Sequence, residues 1–115
     1  ELTYMTAHDA VERFPFEMEG LDAHDVIILS DIGANSFLLP PAVWLRSQTV
    51  PNRLRLIRAW VERGGGLLMV GGYFSFQGID GKARWRKTPV EDVLPVTCHP
   101  WDDRVEIPEG AVAEV

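Results

Sequence analysis

The chain has 115 residues, 46% of them hydrophobic and 24% charged, with a formal net charge of −6. That is enough chain for one domain with a modest core, and too apolar a chain for intrinsic disorder. The acidic balance argues against a nucleic-acid partner, which needs a basic surface to neutralise phosphates, and no apolar run approaches the roughly 18 residues of a membrane span.

Taken in order, Glu1–Met5 reads as a strand that starts abruptly, without an initiator methionine, as in a piece of a longer chain. Thr6 is placed to cap a short helical turn through Ala10, Val11 and Phe14, which Pro15 then disturbs. Val26-Ile-Ile-Leu29 is a continuous apolar run closed by Ser30-Asp31. A run without alternation predicts a parallel strand buried on both faces. Leu67-Leu-Met-Val70, ending at Gly71-Gly72, repeats the pattern. Between the two lies a predicted helix from about Pro51 to Arg63, preceded by Thr49 or Val50 and stopped by Gly64-Gly-Gly66. Its apolar stripe is Leu54, Ile57, Trp60 and Val61. Its four arginines, Arg53, Arg55, Arg58 and Arg63, read as a solvated face. Strand, helix, strand in this pattern is a parallel βαβ unit.

Two irregular stretches leave the carboxyl ends of these strands, Ile32 to Val50 and Gly72 to Arg86. Thr88-Pro-Val-Glu-Asp92 has the signature of a short helix start. Pro95–Cys98 and Val105–Ile107 are candidate extended segments.

Open parallel sheets place their ligands at the carboxyl ends of the strands. Asp31 and Asn35 after one strand, and Gly72, Tyr73, Ser75 and Gln77 after the next, are therefore the candidate ligand-binding residues, with His8 and Asp9 nearby. The alternative for Asp31 and Asn35 is plain capping of loop amides. Gly71-Gly72 could turn backbone amides toward an anion, or simply make a tight bend. Reading Gly71–Ser75 as a nucleophile elbow places Tyr73 at its tip, and a phenol is a poor substitute for a thiolate. Phe74 and Phe76 are too bulky to flank Ser75 in such an elbow. Cys98 is the single cysteine, which excludes an intrachain disulfide and suits a reducing compartment. Adjacent residues on an extended segment face opposite ways, so Cys98 and His99 are unsuited to act as a dyad. The three histidines read as surface, and no spacing suggests a metal site. Nothing calls for a cofactor, since neither a dinucleotide fingerprint nor a P-loop is present. Trp60 reads as core, while Phe74, Phe76 and Trp85 could line a pocket or an interface.

The segments Asp25–Asn35, Pro51–Leu54, Trp60–Gly78, Pro89–Val96 and Asp102–Glu106 together resemble the glutamine amidotransferase-like family of bacterial cytoplasmic proteins of unknown function. The likeness covers nearly the whole chain. It implies a flavodoxin-like three-layer α/β/α sandwich with a mostly parallel sheet, and a single domain over residues 1–115 that continues beyond both ends. It does not imply glutaminase activity: class I amidotransferases use a cysteine at the elbow, with a histidine and a glutamate near the domain's C-terminus, and here the elbow reads Gly72-Tyr73-Phe74.

Two functions follow as expectations. One is a non-catalytic domain that binds a small ligand or a protein partner. The other is an enzyme of different hydrolase or transferase chemistry, with Asp31 as base and Tyr73 as donor. An exposed sheet edge also predicts a tendency to form homo-oligomers.

Overall fold

The computed structural model describes residues 1–112 and 114. It begins with α1 (Ala7–Arg13), whose start is dictated locally. The Thr6 hydroxyl accepts from the Asp9 amide at 3.1 Å, and the Asp9 carboxylate accepts from the Thr6 amide at 3.1 Å. This reciprocal pair closes a capping box. Helix α2 (Met18–Asp22) leads into β1 (Val26–Ser30). Two single-turn helices follow, α3 (Asn35–Leu38) and α4 (Pro41–Trp44). Then come α5 (Arg53–Glu62) and β2 (Gly66–Val70). Beyond β2 the chain carries only two 3₁₀ turns, Ile79–Gly81 and Glu91–Val93, among the described residues.

The two strands pair in parallel, Val26 opposite Gly66 and Ser30 opposite Val70, as the βαβ reading requires. Helix α5 is the crossover. Asn52 caps it, its side-chain oxygen accepting from the Leu54 and Arg55 amides at 3.0 and 3.2 Å. The helix therefore starts two residues later than expected, with Asn52 as its cap, because an amide oxygen reaches the N2 and N3 amides and Pro51 stays outside the helix. Leu54, Ile57 and Trp60 are buried in the same core cluster as Ile27 and Leu29 of β1. Burying Leu54 and Ile57 completely contributes about 1.5–3 kcal/mol each.

Several expectations are corrected. Glu1–Met5 forms no strand, and Leu2 and Tyr4 stand exposed, because the segment makes no backbone pairing to a neighbour among the described residues. Pro95–Cys98 and Val105–Ile107 are not strands for the same reason. Strand β1 is not buried on both faces: Ile27 and Leu29 face the core, whereas Val26 and Ile28 are 55% and 56% exposed. The neighbouring Leu68 is 51% exposed on the same side, so one face of the sheet is an open apolar surface. The stretch from Ile32 to Val50 is not structureless but carries α3 and α4.

The largest departure is Arg53. Arg55, Arg58 and Arg63 lie on the solvated side of α5, with Arg58 bonded to Glu62 and Asp92 at 2.8 Å each. Arg53 instead is fully buried, with no carboxylate partner among the described residues. Its Nε donates to the Phe37 carbonyl at 2.8 Å, Nη1 to Ala10 at 3.0 Å and Phe14 at 3.3 Å, and Nη2 to Val11 and Ser36 at 3.0 Å each. The reason lies in the prolines. A helical carbonyl is normally bonded by the amide four residues on, and for Val11, Ser36 and Phe37 that residue is Pro15, Pro40 and Pro41. Proline has no N–H to offer. One guanidinium, with five donors in a fixed fork, replaces three missing amides and ties α1 and α3 to α5. The Phe16 ring lies 4.5 Å from its central carbon. Burial pushes this guanidinium down to about 10, so it remains charged at neutral pH.

Candidate binding site at the carboxyl ends of the strands

Parallel register places the exits of β1 and β2 side by side. Asp31, the first residue after β1, adopts the left-handed conformation with φ 48°, which aspartate tolerates better than most residues. Its Oδ1 accepts from the Phe74 amide at 2.7 Å. The distance is that of a charge-assisted bond, and it clasps the loop leaving β2 to the loop leaving β1. Oδ2 accepts no hydrogen bond from the described residues. Gly72 is the residue this geometry demands: a Cβ there would sit 2.6 Å from Asp31 Oδ1.

The two irregular stretches are bonded to one another at further points. The Ala34 amide donates to the Ala83 carbonyl at 2.8 Å, and Trp85 Nε1 donates to the Ile32 carbonyl at 2.9 Å. Trp85 is fully buried and tilts against Phe37, whose ring also meets Phe14 edge-on at 4.9 Å. It is a core residue, not a pocket-lining one. Within the second loop Gly78 has φ 72° and ψ −172°, a conformation essentially confined to glycine, and a Cβ there would lie 2.4 Å from the Tyr73 carbonyl.

Of the six candidates, Asp31, Gly72 and Tyr73 come together at the clasp, with the Tyr73 side chain exposed. Asn35 is the first residue of α3. Ser75 is buried, and its hydroxyl donates to the Val70 carbonyl, so it braces the loop and is turned away from solvent. The Gln77 backbone amide donates to Asp103 Oδ2 at 2.8 Å, and its side-chain Oε1 is a buried acceptor with no partner among the described residues. Buried acceptors are nearly always satisfied, so this atom marks a place where a donor is wanting.

Sequence reasoning missed the acidic pair that holds this loop from the far side. Asp103 accepts from the amides of Gln77 and Gly78, both at 2.8 Å, and Asp102 accepts from the Asp80 amide at 3.0 Å. Asp102 is also gripped by Arg104 at 2.8 Å, and this pairing first, then the Asp80 amide, holds its carboxyl well below the usual aspartate range. A two-aspartate run carried the signal, but its target 22–26 residues upstream could not be read from spacing.

Cys98 lies elsewhere. It is buried beside Glu91, whose Oε1 accepts from its amide at 2.6 Å. Burial first, then the Glu91 charge, pushes the thiol up to about 11, the opposite of an activated nucleophile. Burial works to raise the Glu91 carboxyl in turn, but the amides of Cys98 and Lys87 outweigh it and leave it below its ordinary value. His99 stacks on Trp101 at 5.3 Å, on the surface. Among the described residues no three His, Cys, Asp or Glu side chains are grouped to hold a metal ion, and no helix is long and apolar enough to cross a membrane.

A parallel βαβ unit with its two exit loops clasped at the carboxyl ends of the strands defines the class: an α/β domain with a parallel sheet. The chain belongs to the family described as "Putative glutamine amidotransferase", matching it over residues 1–115. It is similar to the solved structure of cytoplasmic protein STM3548 from Salmonella typhimurium, with 46% identity and a TM-score of 0.92; the match covers 96% of this chain and 45% of that one. It is also similar to cytoplasmic protein STM1381 from Salmonella typhimurium LT2, with 44% identity and a TM-score of 0.90, over 100% of this chain and 49% of that one. The chain thus spans about half the length of these relatives. Comparison with curated proteins finds no match.

Proposed function

We propose that the clasp at Asp31 and the Gly72–Gln77 loop is a binding site for a small ligand or a protein partner, in a domain that does not release ammonia from glutamine. One observation carries this reading: Asp31 uses Oδ1 to hold the Phe74 amide and leaves Oδ2 without a donor, at the end of a parallel sheet where such folds take their ligands. The unpartnered Gln77 Oε1 on the same loop adds a second acceptor. Against glutaminase chemistry stands the state of the single cysteine, buried and held protonated by burial and by Glu91. Ser75 is buried and engaged with Val70, which removes the other obvious nucleophile on the loop.

On this reading residues 1–115 are part of one flavodoxin-like three-layer sandwich. The open apolar face formed by Val26, Ile28, Leu68 and Val70 supports it, because parallel sheets are covered on both faces. A cytoplasmic location follows from the likeness to the two Salmonella proteins, both described as cytoplasmic. The test is ammonia release from glutamine by wild type and Cys98→Ala. Neither should release any above a buffer blank, whereas release by wild type that Cys98→Ala abolishes would sink the reading.

A further inference from the structure

The chain is acidic overall, yet residues 82–87, Lys-Ala-Arg-Trp-Arg-Lys, carry four of its eleven basic side chains. Ala83 and Trp85 are fully buried, so the basic residues around them turn outward: Lys82, Arg84 and Lys87 are exposed and Arg86 is half-buried. Lys82 pairs with Asp80 at 2.9 Å. Arg84, Arg86 and Lys87 meet no carboxylate among the described residues. Glu91, four residues beyond Lys87, instead accepts from the amides of Lys87 and Cys98. The remaining exposed basic side chains without a carboxylate partner among the described residues, Arg46 and Arg55, lie on other segments.

This basic strip is fixed at the exit of β1. The Ala83 carbonyl accepts from the Ala34 amide at 2.8 Å, and Trp85 Nε1 donates to the Ile32 carbonyl at 2.9 Å. Residues 83–85 therefore run beside the segment that directly follows Asp31. On their other side the Ala83 and Trp85 amides donate to the Gln77 and Phe76 carbonyls, each at 3.0 Å. Arg84 and Lys87 are left-handed, with φ 60° and 58°. Glycine, asparagine or aspartate suits that conformation better, so a basic side chain at either position stands against the backbone's preference. Outliers of that kind gather at segments that hold ligands.

We propose that the ligand of this crevice is a small molecule carrying a phosphate group, held by Arg84, Arg86 and Lys87; the inference rests on the reading of the strand exits as a ligand site. A guanidinium fork meets two phosphate oxygens at once, and an ammonium adds a point charge. In a chain of net charge −6, three such cations suit one small anion and not a nucleic-acid backbone, which takes many such contacts. The strip is pinned by its own hydrogen bonds before any ligand arrives, so little backbone freedom is lost on binding. Asp31 Oδ2 is left to accept from a hydroxyl or amine on the body of the same molecule.

The test titrates the 115-residue chain with sodium phosphate, at an ionic strength held constant with sodium chloride, and follows the NMR signals of backbone amides and arginine Nε–H groups. Phosphate should shift Arg84, Arg86 and Lys87 saturably, and chloride alone should not. Arg84→Gln combined with Arg86→Gln should weaken phosphate at least tenfold with the circular dichroism unchanged, since neither side chain forms an ion pair among the described residues. A comparison of glycerol phosphate with glycerol needs no variant. The phosphate ester should bind at least tenfold more tightly and move Asp31 and Phe74 as well as the strip. No saturable phosphate shift at the strip, or one that the double variant keeps, overturns the proposal. Uncharged metabolites that move Asp31, Phe74 and Gln77 while the strip stays silent overturn it and leave the crevice reading intact. Phosphate and glycerol phosphate confined to the strip, with Asp31 and Phe74 unmoved, contradict the crevice reading and the proposal with it.

Discussion

Removing the Arg53 guanidinium tests how far three chain segments depend on one side chain. In Arg53→Met the aliphatic stem stays and five donors vanish. The Ala10 carbonyl keeps a partner, since the Phe14 amide also donates to it, at 3.3 Å. The carbonyls of Val11 and Ser36 lie at partly buried bonds, where water can replace the lost donors. Those of Phe14 and Phe37 lie at buried bonds, and Phe37 has Pro41 where its helical partner would be. A buried acceptor left without a donor costs about 1–3 kcal/mol, so these two together cost about 2–6 kcal/mol. Relief of the guanidinium's own desolvation offsets part of this, and about 2–4 kcal/mol of net destabilisation is expected. Against a total stability of about 5–15 kcal/mol that is a large fraction. Arg53→Lys retains three donors at a single point and should recover less than half of the loss. Urea unfolding followed by the fluorescence of buried Trp60 and Trp85 measures both. Arg53→Met within about 0.5 kcal/mol of wild type would refute the idea that the arginine stands in for the amides lost to Pro15, Pro40 and Pro41.

Other expectations follow from the clasp and the buried thiol. Asp31→Gly relieves the left-handed backbone but removes the bond to the Phe74 amide, so Phe74 exchange should accelerate at least tenfold with global stability changed by less than about 1 kcal/mol. Gly72→Ala forces a Cβ against the Asp31 carboxylate and should both free the Phe74 amide and lower the melting temperature, whereas Gly71→Ala, which meets nothing within 4 Å, should do neither. The Cys98 thiol titrates at its ordinary 9.0 in the unfolded chain and near 11 when folded. Above pH 9 the unfolded state therefore loses the proton first, and the stability this thiol contributes falls as pH rises from 9 to 11. The urea-midpoint gap between wild type and Cys98→Ala should narrow across that window, and iodoacetamide should leave the folded thiol unmodified at pH 8. Asp102 is held below its ordinary 3.8, so its grip on Asp80 is complete above that pH and is lost on further acidification, which exchange at the Asp80 amide would report.

What could be read in advance was what local chemistry decides. The helix cap at Thr6, the apolar stripe of α5 and the two strand runs need only near neighbours, and each is present. The convergence of Asp31 with Gly72 followed from parallel pairing alone. The second face of β1 was misjudged because a continuous apolar run states what a strand can bury, not what lies against it. Arg53 was hidden for a different reason. Prolines 15, 40 and 41 announce orphaned carbonyls, but which donor reaches them depends on how α1, α3 and α5 pack, across separations of 16 to 43 residues. Asp102 and Asp103 were passed over on the same grounds.

The clasp is proposed as a binding site, and backbone amide NMR spectra of wild type and Asp31→Ala, titrated with a library of small polar metabolites, test that directly. A ligand that binds should move the amides of Asp31, Phe74 and Gln77 in wild type and leave the Asp31→Ala spectrum unchanged. Shifts that gather around Cys98 and Glu91 and survive in Asp31→Ala would contradict it.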